Sequence, residues 1–481
     1  MKSKILLLLT LIVFGYIGCT DDFEEINTNP NAPVEVPTSF LLTNAQRSIM
    51  DDMWDEWWNG RFGLLYSQYW SQVVYTDESR FNPRPNITNT YWNLFYTDMT
   101  DLEEIIRLNT DEATAGLASA SGSNNNQIAV ARILKAYVYQ MMTDVWGDIP
   151  YTEALMGTEA LKPAYTPQED IYADLLTELT EAQSQIEVDG AGVLGDVIYN
   201  GDMALWKKFA NSLRMRVALR TSKVDPGGFA AKVQAAISDT AFMSYEDDAL
   251  FVFDPADPSF NPLYEAYFID NRTDFAVSEP LISTMQALND PRLPFYADLP
   301  VEGADYTGMP YGMNDDDATA VSGPSGDYVS LPSATYVIAA NSPGILMNYA
   351  EVCFIKSELN GWDQTEYENG VRASCMAWGV SQAETDAYIA SLPAASAETV
   401  MTQKWLAMYM EGLQGWFEWR RTGYPVLEGP DGGSFNDTGD RVIPSRLFYP
   451  SDEQLLNEES YNAAVASQGQ DNLKTRVWWD Q

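Results

Sequence analysis

The chain has 481 residues, a formal net charge of −41 and no histidine. Such acidity repels nucleic acid and anionic lipid headgroups, which excludes both as partners. The absence of imidazole excludes Ser-His-Asp and Cys-His hydrolases and His-ligated zinc, copper or haem, leaving carboxylate chemistry and oxygen-ligated calcium.

The N-terminus carries the first readable element. Met1-Lys2-Ser3-Lys4 precedes an apolar run from Ile5 to Ile17, then Gly18 and Cys19. A basic start, a short apolar stretch and a small residue make a secretory signal peptide over residues 1–18. The run is too short to span a bilayer comfortably as a mature helix. A cysteine directly after the small residue resembles the lipobox of bacterial lipoproteins, in which Cys19 is lipidated and becomes the new N-terminus. Tyr16 departs from that pattern, where Leu is commonest. The alternative is an ordinary secretory signal with Cys19 beside the cut by chance. Thr20-Asp21-Asp22-Phe23-Glu24-Glu25 resembles the acidic signal that sends Bacteroidetes lipoproteins to the outer cell surface. Residues 19–36 then read as anchor, export signal and tether, with Asn27-Thr28-Asn29-Pro30-Asn31 as a turn-rich linker. Each buried methylene of an acyl chain contributes about 0.8 kcal/mol, so two or three chains anchor the protein essentially permanently.

From residue 37 onward the periodicity is that of helices. Helices are predicted over 40–58 and 89–108, the second with Trp92, Phe95, Met99, Leu102 and Ile106 on one face. Residues 126–145 are apolar nearly all round, with Arg132, Lys135, Gln140 and Thr143 near one stripe, which predicts a mostly buried helix. Further helices are predicted over 168–187, after Pro167, and over 203–222. Between about 240 and 340 Pro, Gly, Asp and aromatic residues crowd together, and only Glu279 to Leu288 reads as a clear helix. So long an irregular excursion is usually functional. Helical pattern returns at 346–360, 365–379, 382–391 and 399–420, and the remainder reads as Pro-rich and irregular up to Trp478-Trp479.

Paired, these helices make four hairpins: 89–108 with 126–145, 168–187 with 203–222, 346–360 with 365–379, and 382–391 with 399–413. Each is of roughly tetratricopeptide size, without the strict repeat consensus. The expected fold is therefore all-α: a tetratricopeptide-like helical-hairpin solenoid, one domain over 37–481, with the irregular excursion forming the ligand-binding face. Beyond Cys19 only Cys353 and Cys375 remain, too few for a four-cysteine metal site. They either pair across adjacent helices or stay as two buried thiols. The acidic stretches Asn314-Asp315-Asp316-Asp317 and Asp431 to Asp440 do not fit EF-hand spacing and read as solvated loops. No cofactor is expected, and a structural calcium ion is not indicated.

Several blocks together resemble a known family. They are "AVARILKAYVYQMMTDVWGDIPY" from Ala129 to Tyr151, "LWKKFANSLRMRVALR" from Leu205 to Arg220, and "NYAEVCFIKSEL" from Asn348 to Leu359. They continue with "QKWLAMYMEGLQGWFEWRRTGYP" from Gln403 to Pro425, Ile443-Pro444-Ser445-Arg446 with Tyr449-Pro450, and Val477-Trp478-Trp479-Asp480. The chain resembles the SusD/RagB outer-membrane lipoproteins, in the SusD-like nutrient-binding branch. The resemblance implies a tetratricopeptide-like scaffold on the cell surface, lipid-anchored in the outer membrane. It implies a SusC-like TonB-dependent transporter as partner, to which the protein delivers captured oligosaccharides or, in some branches, peptides. It implies binding, not catalysis. A carboxylate-based glycoside hydrolase is the remote alternative, which would need two acids about 5–10 Å apart across a cleft.

Sugar recognition needs exposed aromatic faces flanked by amides, carboxylates and Arg. Of 14 Trp, five fall between residues 54 and 92: Trp54, Trp57, Trp58, Trp70 and Trp92. The spacing of Trp54, Trp57 and Trp58 favours core positions. Trp70, Tyr75, Arg80 and Phe81, in and beside an early loop, form one candidate ligand-binding set. The second lies in the excursion: Asp270, Asn271, Arg272 and Tyr311, with Phe268, Asp274, Tyr328 and Tyr336 nearby. In the resembled family, binding residues come from these two regions but vary in identity. Trp405, Trp416, Trp419, Arg420 and Arg421 are read as scaffold.

Overall fold

Helix after helix packs on its successor. In the computed structural model, which describes residues 36–430 and 441–481, α1 (Thr38–Trp54), α2 (Pro85–Thr110), α3 (Asn124–Trp146), α4 (Gln168–Gln185), α5 (Met203–Arg220) and α6 (Phe229–Ser238) pack in chain order. The stripe Leu42, Ala45, Ile49, Met50 and Met53 turns α1 onto α2. Proline at the first turn of α2 loses no helical hydrogen bond and presets its φ. Asp202 caps α5 by accepting from the amides of Ala204 and Leu205. Helix α3 is buried almost throughout, because α2 and α4 cover it from two sides. Its last turn ends at Gly147, held at φ +86°, a conformation that costs a residue with a Cβ.

The second half returns to the first. Helix α5 touches α9 (Tyr349–Leu359), which packs on α10 (Gln364–Ala377) and α12 (Ala397–Ala407). Between them in sequence, α11 (Gln382–Ser391) leans on α10. Three of the four expected hairpins form. The fourth does not, since α12 packs on α9 and α10 rather than on α11. The single helix expected over 399–420 is two, because the chain turns at Met410 with φ +76° before α13 (Gly412–Thr422). The helix expected from 346 begins at Tyr349, where Asn348 accepts the amide of Glu351. Helix α6, with Val233 and Ala236 buried, was not expected from the sequence. Nor was α14 (Glu458–Gln468) in the C-terminal stretch read as irregular.

The excursion is more ordered than its composition implies. Besides α7 (Glu279–Leu288), it holds a helical turn at Pro262–Tyr264, a π-helical turn at Glu265–Ile269, and α8 (Asp315–Ser322). Asn314 caps α8, and its first turn is Asp315, Asp316 and Asp317, where carboxylates favour the helix dipole. That acidic run is thus a helix start rather than a loop, while Asp431 to Asp440 falls outside the described residues. Two two-stranded antiparallel ribbons pin the excursion, β1 (Trp70–Gln72) with β5 (Phe275–Val277) and β4 (Ala249–Phe251) with β6 (Gly344–Met347), while a third, β2 (Ile149–Pro150) with β3 (Tyr165–Thr166), follows α3. Cys353 and Cys375 are separate buried thiols, so they do not pair. The signal peptide, Cys19 and the acidic export cluster also fall outside the described residues.

Candidate functional site

The β1–β5 ribbon brings the two candidate regions together. Trp70 pairs with Val277 and Gln72 with Phe275, and the amide of Val73 donates to the carbonyl of Asp274 at 2.8 Å. The early loop after Gln72 therefore leaves the ribbon beside the segment Asp270–Asp274.

Underneath lies a charged lattice. Helix α1 ends at Trp54, and Asp55 starts a π-helical segment, Glu56–Gly63, by accepting the amide of Trp57 at 2.6 Å. Such π segments recur at functional sites. Arg61, wholly buried, bridges Glu78 at 3.1 Å and Asp274 at 2.9 Å. Arg84 pairs with Glu78 at 3.0 Å. Arg272 pairs with Asp274 at 2.6 Å and with Glu56 at 3.3 Å. The three guanidinium carbons lie 4.3 Å (Arg61), 4.8 Å (Arg272) and 5.8 Å (Arg84) from the Trp57 ring centroid. Burial pushes the Glu56 carboxyl up to about 7, against the opposing pull of Arg272 and Arg61. Trp57 is half-buried, whereas Trp54 and Trp58 belong to the core.

An aromatic ladder precedes Arg272 in the chain. Phe260 and Tyr264 have ring centroids 5.5 Å apart, and Tyr264 and Phe268 5.1 Å apart. These positions recur every fourth residue, and the helical turn ends at Asp270 before Asn271 turns the chain at φ +55° toward Arg272. Phe268 is exposed, while Phe260 and Tyr264 are partly open. The Trp57 ring with its forked donors and carboxylates supplies what a polyhydroxylated ring recognises: flat surface for C–H groups and paired partners for hydroxyls.

The expected site residues divide. Arg272 sits at the centre of the lattice. Asp270 and Asn271 are exposed on the turn before it, Asn271 with φ +55°. Tyr75 is 55% exposed and lies within electrostatic reach of Arg272. Its φ of +54° is unusual for a bulky residue, and such strain often marks function. Arg80 is partly exposed and is held by Asp77 at 3.0 Å. Trp70 and Phe81 need correction, because neither ring is exposed. Trp70 points into the core, where its Nε1 donates to the Tyr409 hydroxyl at 3.0 Å. Phe81 packs on Tyr66 and Tyr311. The Tyr311 hydroxyl donates inward to the Leu65 carbonyl at 2.7 Å, so its polar end is consumed by the scaffold. Tyr328 and Tyr336 are exposed elsewhere in the excursion. Trp57, Arg84, Phe260 and Tyr264 were missed. The four-residue spacing of Phe260, Tyr264, Phe268 and Arg272 was the available signal. Among the described residues no group of three or more Cys, Asp or Glu side chains could hold a metal ion. Trp405, Trp416, Arg420 and Arg421 are buried, with Arg421 paired to Glu358 at 2.6 Å and Glu418 at 2.9 Å.

A scaffold of stacked helical hairpins, with Trp57 and its arginines where the early loop meets the excursion, defines a class of mostly helical, tetratricopeptide-like protein. The chain belongs to the SusD-like family described as "Starch-binding associating with outer membrane", whose model matches residues 30–450. Among solved structures it is similar to a chitin-binding protein at 29% identity and TM-score 0.80, covering 92% of this chain and 100% of that one. A SusD homolog from Parabacteroides distasonis (24% identity, TM-score 0.80) shares the fold over 92% of this chain and 98% of its own. So does a chitin-binding SusD homolog from Flavobacterium johnsoniae, at 23% identity and TM-score 0.78, over the same shares of the two chains. No curated protein matches.

Proposed function

We propose that the protein is a cell-surface nutrient-binding lipoprotein that captures oligosaccharides on the Trp57 face and delivers them to a SusC-like TonB-dependent transporter. Acyl chains on Cys19 hold it at the outer membrane. The observation that carries this reading is the half-open Trp57 ring ringed by Arg61, Arg84 and Arg272. The family description and the chitin-binding relative support a saccharide ligand. Glu56, Glu78 and Asp274 are each tied to a guanidinium, which favours holding a ligand over acid–base hydrolysis.

Calorimetry against linear oligosaccharides and peptides tests the reading. Oligosaccharides bind, and Trp57→Ala or Arg272→Ala lowers affinity by about tenfold or more, the equivalent of one lost ring or charged contact. Circular dichroism of each variant confirms that its helices persist. Binding of peptides alone, or saccharide binding indifferent to both variants, overturns it.

A further inference from the structure

A second cavity, separate from the Trp57 face, lies where α9, α10 and the end of α12 meet the returning chain of the excursion. Its volume is about 230 Å³, room for one ring-sized molecule rather than a chain. Trp54, Tyr336 and Trp378 supply aromatic wall, and Leu250, Ile345 and Met410 supply aliphatic wall. Three of its polar groups are already committed. Asn348 donates to Glu411 at 2.5 Å and accepts the amide of Glu351 at 2.9 Å. Ser374 accepts from Arg292 at 2.7 Å. Ser342 donates to the Tyr336 carbonyl at 3.0 Å.

Asp248 differs. Its Oδ1 accepts the amide of Tyr349 at 2.6 Å, while Oδ2 has no protein hydrogen bond among the described residues. No cation compensates it. Its titratable neighbours are acids: Asp247, Glu411, Tyr199 and Cys353. Lys208 is taken by Asp247 at 2.7 Å and Arg216 by Glu351 at 2.6 Å.

We propose that this cavity binds a compact ammonium-bearing molecule, whose charged nitrogen pairs with Asp248 while its body packs against the rings of Trp54, Tyr336 and Trp378. Charge complementarity selects the class: a lone carboxyl on an aromatic wall gains most from a cation, which also interacts with the ring faces. Burial pushes the Asp248 carboxyl up to about 8, so near neutrality it is mostly protonated. The binding step is an ion pairing with proton release: R–NH3+ plus the Asp248 carboxylic acid gives the R–NH3+···carboxylate pair and one proton to solvent. The site is independent of the saccharide reading for the Trp57 face.

The test uses glucosamine and 2-phenylethylamine as amine probes, with glucose and 2-phenylethanol as their neutral counterparts. Isothermal titration in buffers of different ionisation enthalpy reads proton release directly on the unmodified protein. Close to one proton is released per amine near pH 6, and affinity rises about tenfold between pH 6 and 7. Neutral counterparts bind at least tenfold more weakly. Binding of both amines marks a general ammonium site, and binding of glucosamine alone an amino-sugar site. Asp248→Asn keeps an oxygen for the Tyr349 amide, yet lowers amine affinity at least tenfold and abolishes proton release. Oligosaccharide binding at the Trp57 face is unchanged in that variant. Amine binding without proton release, equal binding of the neutral probes, or no binding of either amine overturns the proposal.

Discussion

Gly412 shows how a single position sets the geometry under the candidate face. A Cβ there would lie 2.4 Å from the carbonyl carbon of Gly63 and 2.5 Å from the amide of Leu64. These are backbone atoms that cannot swing aside, so α13 and the π-helical segment meet through bare glycine. Gly412→Ala is expected to destabilise by about 1–3 kcal/mol through overpacking. Gly116→Ala, whose Cβ would meet nothing within 4 Å, is the neutral control. Urea unfolding midpoints of the two variants check this. Trp57 illustrates the limit of residue-level reading. In the sequence it shares the spacing of Trp54 and Trp58, and the period predicts core for all three. The chain stops being α-helical at Asp55 and restarts as a π turn, and Trp57 ends half-open beside Arg272.

Among the elements, the β1–β5 ribbon and the π-helical segment act as one device, joined by Arg61. Its fork spans Glu78 on the early loop and Asp274 on the excursion, and it stacks on Trp57 at 4.3 Å. Without Arg61, buried Glu78 keeps only Arg84 and Asp274 only Arg272, each of them partly exposed, at a cost of about 3 kcal/mol. Arg61→Met is therefore expected to unfold at markedly lower urea. Arg61→Lys falls between, since a single ammonium cannot hold both carboxylates in the fork geometry. Equal stability of Arg61→Met and the unmodified protein would contradict the role. The helices around this device were legible because an amphipathic stripe repeats every three or four residues. The ribbon was not. Gln72 and Phe275 are far apart in sequence, each strand is three residues long, and neither carries an alternating pattern. The hairpin expected from 382–391 failed for a related reason: adjacency in sequence did not decide which helix α12 would cover.

At the scale of the whole molecule, acidity shapes stability. Desolvation raises Asp52 to about 8, Asp98 to about 6, Glu56 to about 7, and Asp248 and Glu411 to about 8. In the unfolded chain such carboxyls titrate near pH 4. Between about pH 4 and 8 the folded protein therefore holds more protons than the unfolded one, and stability falls as pH rises through that window. Repulsion within a chain of net charge −41 acts in the same direction. Glu418 opposes it. Although buried, it is held well below its ordinary value by Arg421, Lys404 and Arg220, and its contribution is lost only in stronger acid. Thermal unfolding should be highest near pH 4 and fall by about 5 °C or more on going to pH 8.5. A calorimetric midpoint that is flat or rises over that range would contradict this account.

Taken alone, the sequence determined the helical class, the order and approximate bounds of most helices, and the family, because these depend on local periodicity and short contiguous blocks. It also marked the early loop and the Asp270–Arg272 turn as the segments to watch. Only the tertiary structure decided which side chains of those segments face outward. Trp70 and Phe81 went to the core, while Trp57 and Arg84 came to the surface beside Arg272. The physical reason is that exposure of an aromatic ring is settled by what packs against it. Here the packing partners come from distant parts of the chain: Tyr409 beside Trp70, and Arg272 over Trp57.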